Sequence, residues 1–406
     1  MRSSCIVITC EYPFLTGEAF LENEMPYLSK TFDNIYIFTL NASESDKMTR
    51  TPPKNAKVFP LGCLLSKMRY PVYITRGIFT ANRQLKCFSP NLKKTAVSLY
   101  EKGRSGRVLR KMEKIIEENR LDVHDAVIYS YWFTDQAVAA WELRDRLNEK
   151  GAHTKAVARG HGYDIYWERN ALGFLPFQDI SLKKLDGFFP CSDNGKNYLS
   201  EKYPRYASRI ETARLGTSDY GYKPEAEGKT IVTCCSLYPF KRISLFARAF
   251  KLVCEKADCR WVCIGDGAEL EEVKNYVSEN GLSDRVTFTG RLPNSEVIRF
   301  YKENDIYLFS NISLFEGVPV CIMEALSFGI PVAATAAGGT GELVNENNGV
   351  LLDLAIDEET LARALIAELS LSEDEYRQKR ENARKTWEEK SSADINFSRW
   401  CKMLAE

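Results

Sequence analysis

Short apolar, β-rich runs alternate along this chain with helical stretches, and that alternation restricts it to parallel sheets covered by helices. The runs are SCIVITC, NIYIFTL, AVIYSYW and FFPCS in the first half, then TIVTCCSL, RWVCIGDG, VTFTG, DIYLFS and PVAATAAG in the second. Between the later strands fall ISLFARAFKLVCEK, AELEEVKNYVSEN, SEVIRFYKEN and VCIMEALSFG, each with helical character. A chain of 406 residues exceeds the length at which one hydrophobic core stops growing, so two domains of about 200 residues are expected. The predicted class is α/β, with two Rossmann-like, doubly wound parallel-sheet domains facing a central cleft. Segment 216–229, GTSDYGYKPEAEGK, is polar, holds three glycines and a proline, and predicts the hinge. This places an N-terminal domain at 1–215 and a C-terminal domain at 230–385. The terminal segment, 386–406, ends in an amphipathic helix carrying Phe397, Trp400 and Met403 on one side, expected to pack back on the first domain.

Composition excludes several classes. Hydrophobic residues at 44% and charged residues at 27% predict folding throughout. The start, MRSSCIVITCEYPF, lacks the apolar core and cleavage site of a signal peptide, and no apolar run approaches the ~20 residues that span a bilayer. A cytoplasmic protein is expected, with possible peripheral contact to the inner membrane face. The 12 cysteines are scattered without CxxC spacing beside only three histidines, which predicts reduced thiols and no metal site. Net charge is zero, yet residues 1–215 hold 33 Lys and Arg against 24 Asp and Glu, and the remainder 22 against 31. Residues 51–100 contain nine basic side chains and no acidic one, interleaved with aromatic and aliphatic residues. Two readings stay open for this segment: a face for anionic lipid or a phosphorylated acceptor, and a solvated helix face. No nucleic-acid partner is expected.

The chemistry concentrates in SLFEGVPVCIMEALSFGIPVAATAAGGTGE. Val318 to Phe328 reads as a buried helix, with Pro319 in the first turn where a missing N–H is harmless. Glu324 is anomalous there, because a carboxylate among apolar neighbours needs strong donors, and a pair of ligand hydroxyls supplies them. Glu316 lies eight residues earlier, so the two acids bracket a helix N-terminus. The Gly317, Val318, Pro319 and Val320 turn then becomes a seat for a pyrophosphate. Lys241 follows a strand in TCCSLYPFKRISLF and suits the charge that develops on a departing diphosphate; Arg242 is a second candidate cation. Gly265 and Gly267 in IGDG, and the GGTGE turn at 338–342, let backbone approach a nucleotide. Neither turn matches GxGxxG, so no dinucleotide cofactor is implied. The alternative for both glutamates is capping and ion pairing within the protein.

This combination resembles glycosyltransferase family 4, the retaining group with the GT-B fold, also called glycosyl transferases group 1. The mark is EGVPVCIMEAL, two glutamates separated by seven residues, followed by GIPVAATAAGGTGELV at family-like spacing. The resemblance implies that Glu316 meets the donor sugar, Glu324 the ribose, the intervening amides the sugar or phosphate, and Lys241 the diphosphate. One departure is Ser236, which stands five residues before Lys241 where the family often has Arg. In the first domain, ARGHGYDIY resembles the family's HG segment and implies His161 beside the donor sugar. EYPFLTGEAFLENEM resembles the first strand-to-helix loop, with Thr16 and Gly17 at an acceptor or phosphate turn.

The function so implied is transfer of a sugar from a UDP- or GDP-sugar to a glycan or lipid-linked acceptor in surface polysaccharide or glycolipid synthesis. It needs no cofactor and, lacking Asp-x-Asp, no metal. Two other classes remain compatible at this point: a nucleotide-sugar epimerase or phosphorylase of similar fold, and a non-catalytic scaffold that keeps the fold.

Overall fold

The computed structural model describes residues 3–63, 70–80 and 85–406. Lys67, Arg69 and Arg83 of the basic segment lie outside the described residues. The first unit comprises residues up to Arg214 together with Phe397–Glu406, and the second Leu215–Asn396. The expected hinge, 216–229, is fastened within the second unit: Thr217 exchanges backbone hydrogen bonds with Ser391 and Ala393, and Arg384 pairs with Asp219 at 2.7 Å.

The first unit runs β1 (Ser4–Thr9), α1 (Leu21–Thr31), β2 (Asn34–Thr39), β3 (Ala56–Pro60), α2 (Tyr70–Thr80), α3 (Leu92–Glu118), β4 (Val127–Ser130), α4 (Asp135–Glu149), β5 (Lys155–Gly160), α5 (Gln178–Lys184), β6 (Gly187–Pro190) and α6 (Asp193–Lys202). The second runs β7 (Thr230–Cys234), α7 (Ile243–Cys254), β8 (Arg260–Ile264), α8 (Leu270–Glu279), β9 (Val286–Gly290), α9 (Asn294–Glu303), β10 (Leu308–Asn311), α10 (Val320–Ser327), β11 (Val332–Thr335), β12 (Gly349–Leu352), α11 (Glu358–Leu369) and α12 (Glu373–Lys390). α13 (Ala393–Ala405) begins in the second unit and ends in the first. α12 runs through the boundary expected at 385/386, because its capping box at Ser372 and Glu375 starts one uninterrupted 18-residue helix.

Both sheets are six-stranded, and every pairing between their strands is parallel: β3-β2-β1-β4-β5-β6 and β12-β11-β10-β7-β8-β9. Each order reverses once, between β1 and β4 and between β7 and β10. Side chains on both faces of the central strands β1 and β10 are buried, as their near-continuous apolar runs require. In such sheets, loops at the carboxyl ends beside the reversal form a natural crevice for ligands. α2 and α3 pack closely because two glycines allow it: a Cβ on Gly77 would lie 2.0 Å from the Leu99 carbonyl oxygen, and one on Gly103 1.8 Å from that of Tyr73.

The C-terminal turns complete the first unit's core. Trp400 and Phe397 are buried, while Met403 is half-buried. The Trp400 indole donates to Glu24 at 2.8 Å, and Glu24 pairs with Arg159 at 2.7 Å, all without solvent exposure to speak of. Arg159 also donates to the carbonyls of Ala213 and Arg214. Trp400→Ala leaves a cavity and removes the indole donor from the buried Glu24, so it should cost about 3–5 kcal/mol. Denaturant unfolding followed by near-ultraviolet circular dichroism measures this; a cost below about 1 kcal/mol contradicts the packing described.

Candidate functional site

In the second unit, the loops leaving β7 and β10 carry the predicted cation and acid to the reversal point. Lys241 ends a short 3-10 turn, Pro239–Lys241, and its Nζ lies 2.6 Å from Glu316 Oε1. Burial works against the Lys241 charge, but the Glu316 carboxylate outweighs it and holds the ammonium above its ordinary pKa. Asn311 Nδ2 donates to the same oxygen at 3.3 Å. α10 starts at Val320 with Pro319 as its N-cap, so the helix is shorter than the expected Val318–Phe328 and the proline sits one place ahead of its first turn. The amides that open this turn have no carbonyl one turn back, which leaves them suited to an anion.

Glu324 lies inside α10, 5% exposed, and accepts from Asn294 Nδ2 at 2.7 Å. Burial pushes its pKa up to about 7, against the pull of that hydrogen bond. The two acids therefore differ: Glu316 faces a cation, and Glu324 is a buried carboxyl near its titration midpoint at neutral pH.

The glycines of IGDG and Arg242 have close partners within the protein. Gly265 and Gly267 serve the protein's own backbone: a Cβ on Gly265, at φ 143°, would meet the Cys235 carbonyl oxygen at 1.8 Å, and one on Gly267 that of Leu237 at 2.6 Å. Their missing side chains let the IGDG turn lie on the loop after β7. Arg242 takes a left-handed backbone, φ 55°, and donates from Nε to the Ile312 carbonyl at 2.6 Å and from Nη1 to that of Leu354 at 2.7 Å. It clamps the loop after β10, with only Nη2 left over. The GGTGE turn braces the same loop: Gly338, at φ 54°, would place a Cβ 2.1 Å from the Glu316 carbonyl oxygen, and Gly339 N–H donates to Gly317 at 2.7 Å.

In the first unit, the loop after β1 is organised by Glu18, which sequence reasoning missed. Its carboxylate accepts from the amides of Cys10, Glu11 and Tyr12 at 2.7–2.8 Å and from the Trp132 indole at 2.6 Å. Gly17 N–H donates to Glu11 at 2.7 Å, and Thr16 is exposed. His161 follows β5, its ring against Tyr131 at 4.5 Å, Trp132 at 4.8 Å and Phe20 at 5.7 Å. Both ring nitrogens are buried without a hydrogen-bond partner among the described residues. Burial first, and the Arg159 charge second, hold this imidazole well below its usual pKa, so it is neutral. Asp164 fixes the segment by accepting from the amides of His161, Gly162 and Phe133. The motif ARGHGYDIY contained Asp164, but its spacing alone does not reveal that role.

Two stability tests follow. Because the Glu324 pKa rises from 4.5 to about 7, the folded state binds the extra proton between those values and loses stability as pH rises. Glu324→Gln should gain about 1 kcal/mol relative to the parent between pH 6 and pH 8, and a constant difference contradicts the buried, weakly partnered carboxyl. His161→Phe removes two unpaired polar atoms and should raise the melting temperature. A drop of several degrees would mean that the ring nitrogens are satisfied.

Residues 222–386, most of the second unit, match the family Glycosyl transferases group 1. The chain is 26% identical over 261 residues to the putative colanic acid biosynthesis glycosyltransferase WcaL of Escherichia coli, covering 62% of this chain and 63% of that one. It is 32% identical over 155 residues to the UDP-Gal:alpha-D-GlcNAc-diphosphoundecaprenol alpha-1,3-galactosyltransferase of Escherichia coli, covering 37% and 38%. The matched stretch is thus less than two thirds of either relative's length. Among solved structures, Anabaena HepE in complex with UDP superposes with a TM-score of 0.67 at 15% identity over 99% of both chains. The chain has the GT-B fold, two Rossmann-like parallel-sheet domains, and its second unit is similar in sequence to the group 1 glycosyl transferases.

Proposed function

We propose that this protein is a retaining glycosyltransferase that moves a sugar from a UDP- or GDP-sugar to a glycan or lipid-linked acceptor in surface polysaccharide or glycolipid synthesis. The observation that carries the reading is the Lys241–Glu316 pair at the β7/β10 reversal, beside the N-terminus of α10 and its buried Glu324. The functions of the relatives above, and UDP in the HepE complex, agree with it.

In this reading Lys241 turns from Glu316 to the donor's β-phosphate, and the opening amides of α10 share the anion's charge. Glu316 then accepts from sugar hydroxyls, and Glu324 from the ribose hydroxyls. The bond from the anomeric carbon to the diphosphate breaks while the acceptor hydroxyl attacks from the same face, and a phosphate oxygen takes the hydroxyl proton. Neutral His161 has a free donor and a free acceptor for the donor sugar. No metal enters this scheme, so turnover should survive a chelator.

The exposed apolar side chains Ile78, Phe79, Phe88 and Leu92 stand among Arg76, Lys86, Lys93 and Lys94, and support contact with an anionic membrane surface where a lipid-linked acceptor resides.

Purified protein incubated with UDP-, GDP- and ADP-sugars tests the reading: one donor should raise thermal stability and slowly release nucleotide. Lys241→Ala and Glu316→Ala should each lose turnover with the fold intact; full turnover in either sinks the assignment. Ribose hydroxyls donating to Glu324 favour its ionised form, so donor binding near pH 7 should release a proton. Titration calorimetry in buffers of different ionisation enthalpy reads this, and Glu324→Gln should abolish it; equal release in the variant contradicts the role.

A further inference from the structure

The first unit contains a cavity of about 560 Å³ bounded by the loop after β1, the start of α4, one face of α3 and the segment 170–176. Its walls carry the carboxyl groups of Glu11, Glu18, Glu101 and Asp135 against one described cation, Arg104. Most of these groups are already engaged. Glu18 holds three amides and an indole, and Glu11 holds Gly17. Arg104 spends Nη1 on Asp135 Oδ1 at 3.1 Å, Nη2 on Asn41 at 3.3 Å and Nε on the Cys63 carbonyl at 3.4 Å.

What remains is a set of buried polar atoms without hydrogen-bond partners: Glu101 Oε2, Asp135 Oδ2 and the Tyr100 hydroxyl. Asp135 is 2% exposed and Tyr100 5%. A buried acceptor without a donor costs free energy, and an incoming hydroxyl relieves it. Burial first, and the nearby Asp135 charge second, raise the Glu101 pKa against the opposing Arg104. Trp132, Tyr163 and Phe174 add aromatic surface, with Tyr163 55% exposed. An anion entering here meets carboxyl groups and a guanidinium already spent, which is the wrong chemistry for a phosphate.

We propose that this cavity seats the saccharide end of the acceptor, and that it takes an uncharged, hydroxyl-rich sugar unit and rejects one bearing phosphate or carboxylate. The inference rests on the transferase reading in assigning the acceptor to the first domain, and it narrows the role of the Thr16–Gly17 turn from acceptor or phosphate to acceptor alone.

The test is saturation-transfer NMR on the full chain with methyl glucoside, methyl galactoside and methyl mannoside, set against methyl glucuronide and glucose 6-phosphate. At least one neutral glycoside should bind, with the charged probes about tenfold or more weaker. Glu101→Gln, whose Oε2 has no partner to lose, should weaken the neutral glycoside several-fold and narrow the discrimination. Asp135→Asn, accepted only if its thermal transition stays cooperative, should do the same. Equal binding of charged and neutral probes, binding of none, or an unchanged profile in Glu101→Gln overturns the proposal. Nucleotide release from the donor, recorded on the same samples, separates the two claims. Release without glycoside binding removes only the cavity's role, whereas glycoside binding without any nucleotide-sugar binding removes the transferase reading.

Discussion

The ion pair between Lys241 and Glu316 is the contact around which the second unit's chemistry is arranged. It joins the loops of two adjacent parallel strands where the sheet order reverses, and both side chains are mostly covered, at 17% and 12% exposure. A pair in that setting contributes little net stability, since desolvation offsets most of the attraction. Its consequence is positional. The ammonium is held charged beside a helix N-terminus, and in the proposed reading it exchanges a carboxylate for a more highly charged diphosphate. Asn311, Arg242, Gly338 and Gly339 all act on the Glu316 loop, by a side-chain hydrogen bond, a clamp on Ile312 and two close backbone approaches.

The two units share one sheet order and solve the shaping of their loops differently. In the first, buried carboxylates gather backbone amides: Glu18 takes three from the loop after β1, and Asp164 draws the loops after β4 and β5 together. In the second, glycines let one loop lie directly on another's carbonyls, as Gly265 does on Cys235. Amide-gathering carboxylates stiffen a polar cavity, while glycine contacts leave the neighbouring cation and acids free to face a ligand.

Period and spacing made part of this legible. The alternation of apolar runs and helical stretches announced both parallel sheets, and EGVPVCIMEAL marked Glu324 because an acid in an apolar helix violates the pattern around it. Contacts distant in sequence left no such trace. Lys102, Arg104 and Ser105, polar and close in sequence, are buried in α3, since α2 and α4 cover it. Glu101 and Asp135, thirty-four positions apart, meet only through the fold. The Arg242 contacts have a local origin that spacing does not show: a left-handed backbone accompanies a side chain that donates to the Ile312 carbonyl. Glycine turns signal close approach in sequence without saying what approaches, and for Gly265 and Gly267 it is the protein itself.

The central claim is that Lys241 is a phosphate cation restrained by Glu316. Affinity of the bare nucleoside diphosphate, UDP or GDP, for the parent and for Glu316→Gln tests it most directly by calorimetry. Freed from its partner, Lys241 should bind the diphosphate several-fold more tightly in the variant, while the corresponding nucleotide sugar, deprived of its hydroxyl acceptor, binds more weakly. Weaker binding of both ligands, or no change in either, would contradict the account.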